Sequence, residues 1–528
     1  MAGFTIDDFP KHSDIVGYEC EPPRTQNLYY SPLIIAEMKY QRAVAETMQT
    51  GTFRLAYSAS PGAHLWDWCL TKSQGAGSWW LVRDEQSANV SRPLVGWDAR
   101  FESLDRNLES AAEIGVLFSL DSRDRNPQMT NPHTSWLRGY LATCAALTDG
   151  HVPYKALVDR DLTLDKLKGK GKVRTLMLCN TGSMSDQAVA AVREFVRDGG
   201  TLVATGHTSL DDEHGQSRAD FGLADVFGFS HAGENSAVNK LTIDRASAAF
   251  DSVAGTLPHE SPFQSLKKIS PDVKTLGRMM LGDATSHPGI LSRSFGKGRV
   301  LYFSGHPELH YQHWSPGDPP IEPGKHWTDR RDPVYGKLLC AAALAGGTAP
   351  LTIENLPAGV VAEAFRHEHG KLKGLQVRLA NLEGGRLKTG EVPVWYGVTF
   401  PDVQDRLPQP KNSIRVSARI GGVRQVFLIS PDFDPIVSLP FEIQGDQVVV
   451  TIPTVHRYSM LYFEQAGDVA THCRATVVKS IPAARQLVTE ESLPLVGAYD
   501  PHSVTIFAGL ESLSGGTEPS IYTSRGQI

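Results

Sequence analysis

The sequence predicts a mixed α/β protein built from three kinds of architecture: a partial (β/α)-barrel segment, a parallel-sheet domain, and an antiparallel β-sandwich. Three observations carry this. Strand and helix patterns alternate from Glu113 to Gly347, short period-two runs with turn residues dominate after it, and the first 110 residues read as βαβ material. A chain of 528 residues is expected to hold several domains. The expected boundaries are 1–110 for the barrel-like segment, 111–350 for the parallel sheet, 351–467 for the sandwich and 468–528 for a C-terminal extension.

The opening segment supplies a strand in HSDIVGYECEPP, a helix in SPLIIAEMKYQRAVAETMQTG and a second strand in FRLAYSASPG, followed by the tryptophan-rich HLWDWCLTKSQGAGSWWLVRDE. A closed barrel needs roughly 200 residues or more, so this material forms only part of one. In the second region, EIGVLFSLD reads as a buried strand, SWLRGYLATCAALTDG as an amphipathic helix closed by Gly150, and VPYKALVD as the next strand. RTLMLCN and TLVATG are two further strands flanking SMSDQAVAAVREFVRDGG. That helix opens on a Ser/Asp cap and places Ala188, Val189, Val192, Phe195 and Val196 on one face before Gly199-Gly200 ends it. Such alternation gives a flavodoxin-like parallel sheet, with the strands at Ile114–Ser119, Thr175–Cys179 and Thr201–Thr205 adjacent. GILSRSFGKGRVLYFSGHPELHY adds a hairpin turned at Gly296-Lys297-Gly298, and DPVYGKLLCAAALAGG a closing helix. VVAEAFRHEHGKLKGLQVRLANLEG, VRQVFLISPD and DQVVVTIPTVHRYSMLYFEQ alternate with period two, as sandwich strands do.

Composition excludes several function classes. The net charge of -6, with no Lys/Arg-rich block, leaves no electrostatic footprint for nucleic acid. No run approaches the ~20 apolar residues of a membrane helix, and the polar start MAGFTIDDFPKHSD lacks the apolar core of a signal peptide. The six cysteines are scattered without paired spacing, which points to free thiols and a cytoplasmic setting. His306, His310 and His313 in HPELHYQH, and His367 and His369 in HEH, are read as something other than metal ligands, because no carboxylate or cysteine cluster completes a four-ligand set. A proline directly after the strand argues against helicity in the first group.

LESAAEIGVLFS, the long stretch from VRTLMLCNTG through GGTLVATG to FGLADVFG, and VRLANLEG resemble the β-galactosidases of glycoside hydrolase family 42 and uncharacterised glycosyl-hydrolase-like relatives. The match is most specific in the middle region and fragmentary in the first. The resemblance implies a (β/α)8 barrel, a trimerisation domain with the class I glutamine amidotransferase fold, and a small C-terminal β domain. It also implies hydrolysis of glycosidic bonds of a carbohydrate substrate by carboxylates, without metal or organic cofactor. The assembly it implies is a homotrimer or a complex with a barrel-completing chain.

Two sets of residues are tested by this resemblance. Amidotransferases set a nucleophilic Cys in a Gly-x-Cys-x-Gly elbow, with a His-Pro-Glu type motif later. His306-Pro307-Glu308 resembles the second motif, but the elbow position after TLVAT reads Gly206-His207-Thr208, and Cys179 lies on the preceding strand without flanking glycines. Cys179 is therefore expected to be a buried small hydrophobe, with no amidase activity. Retaining glycosidases need two carboxyl groups about 5 Å apart on different strand ends. Glu19 and Glu21 in GYECEPP match a late-strand position, with Asp67 as a further catalytic candidate; each has the alternative of an ordinary solvated or structural role. Trp66 and Trp68, with His64, are the candidate substrate-binding residues, an aromatic platform with a polar anchor. Trp79-Trp80 is a second such pair; core or interface packing is the alternative for all four tryptophans. An oligomer is expected because the helix at SPLIIAEMKYQRAVAETM and the Trp-rich segment offer apolar surface that an unclosed barrel leaves uncovered.

Overall fold

The computed structural model describes residues 15–19, 31–56, 61–82, 85–125, 136–169, 172–235, 240–244, 248–259, 261–282, 285–311, 331–347, 350–357, 359–383, 385–387, 394–395, 398–399, 403–405, 408–485, 504–508, 521–523 and 526–527. It is a mixed α/β protein that divides into two compact units, one made of residues 1–111 and 350–528, the other of Ala112–Ala349. No helix among the described residues is long and apolar enough to cross a membrane.

In the first unit, β1 (Ile15–Glu19), β2 (Gly51–Ala56) and β3 (Gly77–Val82) pair in parallel. They are connected by α1 (Ser31–Met48) and α2 (Pro61–Ser73), and α3 (Glu85–Phe101) follows β3. The strand Val504–Ala508 pairs antiparallel with β3, so the C-terminal extension, which carries no readable signal of its own, adds to this sheet. All thirteen residues of α2 are buried. A helix covered on every side shows no amphipathic stripe, and this one is covered by α3 on one side and by a seven-stranded sheet on another.

That sheet runs from Val477–Val478 through Tyr458–Ala466 and Leu372–Asn381 to Val360–His369 and Leu108–Ser110. Successive side chains of a strand point to opposite faces, and Tyr458–Ala466 shows the consequence. Tyr458, Met460 and Tyr462 join Trp68, Trp97 and Phe101 in one core. Leu461 and Phe463 join Val377, Ile414, Val416 and Val450 in another, shared with a four-stranded sheet. The sandwich thus has a third layer, supplied by the N-terminal helices. This corrects the ground given for an oligomer. Ile34, Ile35 and Met38 of α1 and the tryptophans of α2 are covered within the chain.

The second unit is a nine-stranded sheet. Lys155–Val158, Ile114–Phe118, Thr175–Leu178, Thr201–Thr205 and Gly298–Phe303 lie side by side in parallel, in that order. Ser286–Phe295 returns antiparallel beside Gly298–Phe303, and three further antiparallel strands extend that edge. The crossover helix Asp186–Arg197 is capped by Ser185, whose Oγ accepts from the Ala188 N–H at 3.1 Å. Its buried residues are Ala188, Val189, Val192, Phe195 and Val196, which pack on Leu176, Leu178 and Leu202 of the strands. The proline of His306-Pro307-Glu308 does not prevent a helix. Pro307–Tyr311 is a short one, and Pro307 sits at its first position, where the missing N–H has no intrahelical partner to lose.

Candidate functional site

Parallel α/β sheets present their loops, and hence their chemistry, beyond the carboxyl ends of the strands. In the first unit that edge carries Glu19, the last residue of β1, in register with Leu55 of β2. Glu21 lies outside the described residues. The other candidates are interior. Asp67 and Arg54 are 1% and 0% exposed and form an ion pair at 3.0 Å. Arg54 comes from β2, and its Nη1 also donates to Thr71 Oγ1 at 3.3 Å. An aspartate held in this way balances a buried guanidinium, and water or substrate does not reach it.

Trp66, Trp68 and His64 are 5%, 0% and 1% exposed. Trp68 meets Trp97 edge-on with ring centroids 5.3 Å apart, and its Nε1 donates to Asp98 at 3.0 Å. Trp66 Nε1 donates to the Leu382 carbonyl at 3.1 Å, tying α2 to the end of a sandwich strand. A sugar platform needs an open aromatic face. These rings are packed on both sides, so the core alternative holds for Trp66 and Trp68 and the platform reading is corrected. Trp79 lies half-buried on β3.

In the second unit, Asn180, Gly206-His207 and His306-Glu308 converge over neighbouring strand ends. Gly206 has φ +55°, and a Cβ built there would lie 2.1 Å from His306 Cε1, so the imidazole occupies the space a side chain would need. The Asn180 side-chain oxygen accepts from the His207 N–H at 3.0 Å, and the Asn180 backbone N–H donates to Thr205 Oγ1 at 2.9 Å. Thr205 Oγ1 donates in turn to Glu308 Oε1 at 2.8 Å. His207 Nε2 lies 2.9 Å from Glu234 Oε2, and this contact is the leading cause holding the Glu234 carboxyl below its ordinary range. Gln264 Nε2 donates to the same Glu234 oxygen at 3.0 Å, while Gln264 Oε1 accepts from His231 Nε2 at 2.9 Å.

Cys179 takes no nucleophile's position. It is 1% exposed, and Thr143 Oγ1 donates to its sulfur at 3.2 Å. Burial first, and the Glu308 charge second, push its thiol well above the ordinary value. A thiolate nucleophile needs the opposite environment, cationic and partly open. His367 is likewise structural, bonded to Tyr462 Oη and to the Ser103 carbonyl at 3.0 Å each. His313 lies outside the described residues.

Sequence reasoning missed Glu234 and Gln264. They are direct cross-strand partners between Ser230–Asn235 and Phe263–Lys267, and strand register alone brings them together. SHAGEN reads as a polar loop, and nothing in its composition signals the pairing.

No family model matches the chain, and no curated protein matches it. Solved structures do. An α-L-fucosidase isoenzyme 2 from Paenibacillus thiaminolyticus superposes with TM-score 0.57 at 15% identity, covering 83% of this chain and 63% of that one. A β-galactosidase from Bacillus circulans sp. alkalophilus gives TM-score 0.56 at 13% identity, with 87% and 61% covered. A GH42 β-galactosidase from G. stearothermophilus gives 0.57 at 12%, also with 87% and 61% covered. The chain therefore spans less than two thirds of the length of these structures, and what it shares with them is a glycoside-hydrolase-like fold.

Proposed function

We propose that the protein is a glycosyl-hydrolase-like, carbohydrate-active protein acting on glycosidic bonds of the β-galactosidase type. The observation that carries this is the placement of Glu19 at the carboxyl end of β1, in the parallel array β1-β2-β3, within a chain of glycosidase-like fold. A carboxylate at such a strand end is where barrel glycosidases keep their chemistry. Glu21, two residues on, is the second candidate for the same role. Glu19 or Glu21 would act as nucleophile, and the acid/base carboxyl would come from another strand end, in this chain or in a barrel-completing one. The amidotransferase-like unit is proposed to serve assembly as a homotrimer, as the domain it resembles does.

The test is hydrolysis of chromogenic β-galactosides and α-L-fucosides by the wild type, Glu19→Gln and Glu21→Gln. A nucleophile's loss lowers kcat by orders of magnitude while folding is kept. Full activity in both variants would remove both residues. Light scattering after size exclusion tests assembly, where a mass of 57.6 kDa means a monomer.

A second reading is favoured by the interior placement of Asp67, Trp66 and Trp68: a non-catalytic subunit or degenerate paralogue serving assembly or sugar binding. It predicts no turnover of either substrate class by the wild type, with saccharide binding detectable by calorimetry.

A further inference from the structure

A second cluster stands at the carboxyl ends of the parallel strands of Ala112–Ala349, beside the one formed by Asn180, His207 and Glu234. It consists of His259, Ser261, His310 and Tyr335, which come from three separate stretches of chain. Ser261 Oγ lies 3.0 Å from His259 Nε2 and 3.0 Å from His310 Nε2. His259 Nδ1 lies 3.0 Å from Tyr335 Oη, and Tyr335 Oη donates to the Pro258 carbonyl at 2.6 Å.

These distances fix where the protons are. A phenol has one hydrogen, and that of Tyr335 is committed to Pro258. The His259–Tyr335 bond therefore requires Nδ1–H of His259 to donate, which leaves Nε2 bare in the neutral ring. Burial first, then His310 and His306, keep His259 neutral by lowering its pKa well below the ordinary histidine value. The Ser261 hydroxyl donates to bare Nε2, so its own oxygen accepts from His310 Nε2–H. The arrangement is a hydroxyl bonded to a base whose tautomer is set by a third group, the nucleophile–base–orienter geometry.

The backbone makes room for it. A Cβ on Gly305, just beyond the Gly298–Phe303 strand, would lie 2.4 Å from His259 Nε2, so glycine there lets the imidazole seat against the strand end.

We infer that Ser261 is a nucleophile that accepts an acyl group from a carboxylic ester, with His259 Nε2 as its base and Tyr335 as its positioning residue. The Ser261 Oγ–carbonyl bond forms as the hydroxyl proton passes to His259 Nε2. His310 Nε2–H, released from Ser261 Oγ, donates to the carbonyl oxygen as it gains charge. The C–O bond to the leaving group then breaks, and the departing alkoxide takes the proton from His259. Water attacks the acyl-serine, gives its proton to Nε2, and releases the carboxylic acid with Ser261 restored. Among the described residues His259 Nδ1 is backed by Tyr335 Oη, not by a carboxylate as in a Ser-His-Asp triad. The imidazolium is correspondingly less stabilised, which restricts the site to esters with good leaving groups and excludes amides.

The test is incubation of the full chain with p-nitrophenyl acetate, followed by peptide mass mapping. One acetyl group on the peptide holding Ser261 is expected, absent in Ser261→Ala and formed about 100-fold more slowly in His259→Gln, as for loss of a general base. Tyr335→Phe keeps the ring but frees the His259 tautomer, and it should move the pH profile of acetylation. Cys179→Ser should label as the wild type does. Absence of acetyl from Ser261 in the wild type overturns the inference, and so does an undiminished rate at Ser261 in His259→Gln. Both readouts are taken on chains whose circular dichroism matches the wild type. Mapping the wild type decides the matter even if a variant does not fold.

Discussion

Replacing Asp67 by Ala separates a structural carboxylate from a catalytic one. Asp67 and Arg54 are exposed by 1% and 0% and meet at 3.0 Å, so neither charge is screened by water. Removing the carboxylate leaves the Arg54 guanidinium in the interior without the Asp67 charge beside it. Breaking a buried pair in this way costs about 3–5 kcal/mol, against about 0–1 kcal/mol for a surface pair. With a urea m-value near the top of the usual range, about 3 kcal/mol/M, the midpoint for the first unit should fall by about 1–1.7 M. Tryptophan fluorescence reads this unit, because Trp66, Trp68 and Trp97 sit in its core. The two compact units require the transitions to be fitted separately. The double variant Arg54→Met/Asp67→Leu removes both charges and should recover most of the loss, since apolar replacement of a buried pair is often neutral or better. An Asp67→Ala protein within about 1 kcal/mol of the wild type, but inactive on glycosides, would refute the structural assignment and return Asp67 to the catalytic list.

Three further outcomes are expected. Burial lowers the His367 pKa from 6.5 to about 4, so the unfolded chain takes up a proton that the folded chain refuses. Its contribution is therefore full above pH 6.5 and is lost as pH falls toward 4, by about 3 kcal/mol at 1.36 kcal/mol per unit; His367→Gln should flatten that part of the urea-midpoint-versus-pH curve, and an unchanged slope would count against it. Gly206→Ala places a Cβ at φ +55° against the His306 ring, and should destabilise the second unit by more than the roughly 1–2 kcal/mol of the left-handed backbone alone, read as a lower melting temperature. Cys179 should react with a thiol reagent only on unfolding, and Cys179→Ser should leave every hydrolytic rate unchanged; modification of Cys179 in the native protein would contradict its burial.

What the sequence made legible was whatever is decided locally. The helix Asp186–Arg197 announced its cap, its buried face and its stop because it packs on one side only, and the buried residues are those of the 3.6-residue stripe. The parallel strands were legible as apolar runs between such helices. α2 was not legible, because a helix buried all round has no stripe, and its tryptophans look the same whether they face a ligand or a core. The pairing of Asp67 with Arg54 depends on α2 packing over β2, and that of β3 with Val504–Ala508 joins chain segments far apart in sequence. Neither leaves a mark on the residues nearby. The His-Pro-Glu stretch shows the same limit within a motif. Its letters are those of an amidotransferase base, but His306 lies against Gly206, and His207 at the elbow turns to Glu234. The motif names a position at the end of a strand. What that position can do is set by the neighbouring strand ends, and here they offer an imidazole paired with a carboxylate where an amidase needs an activated thiol.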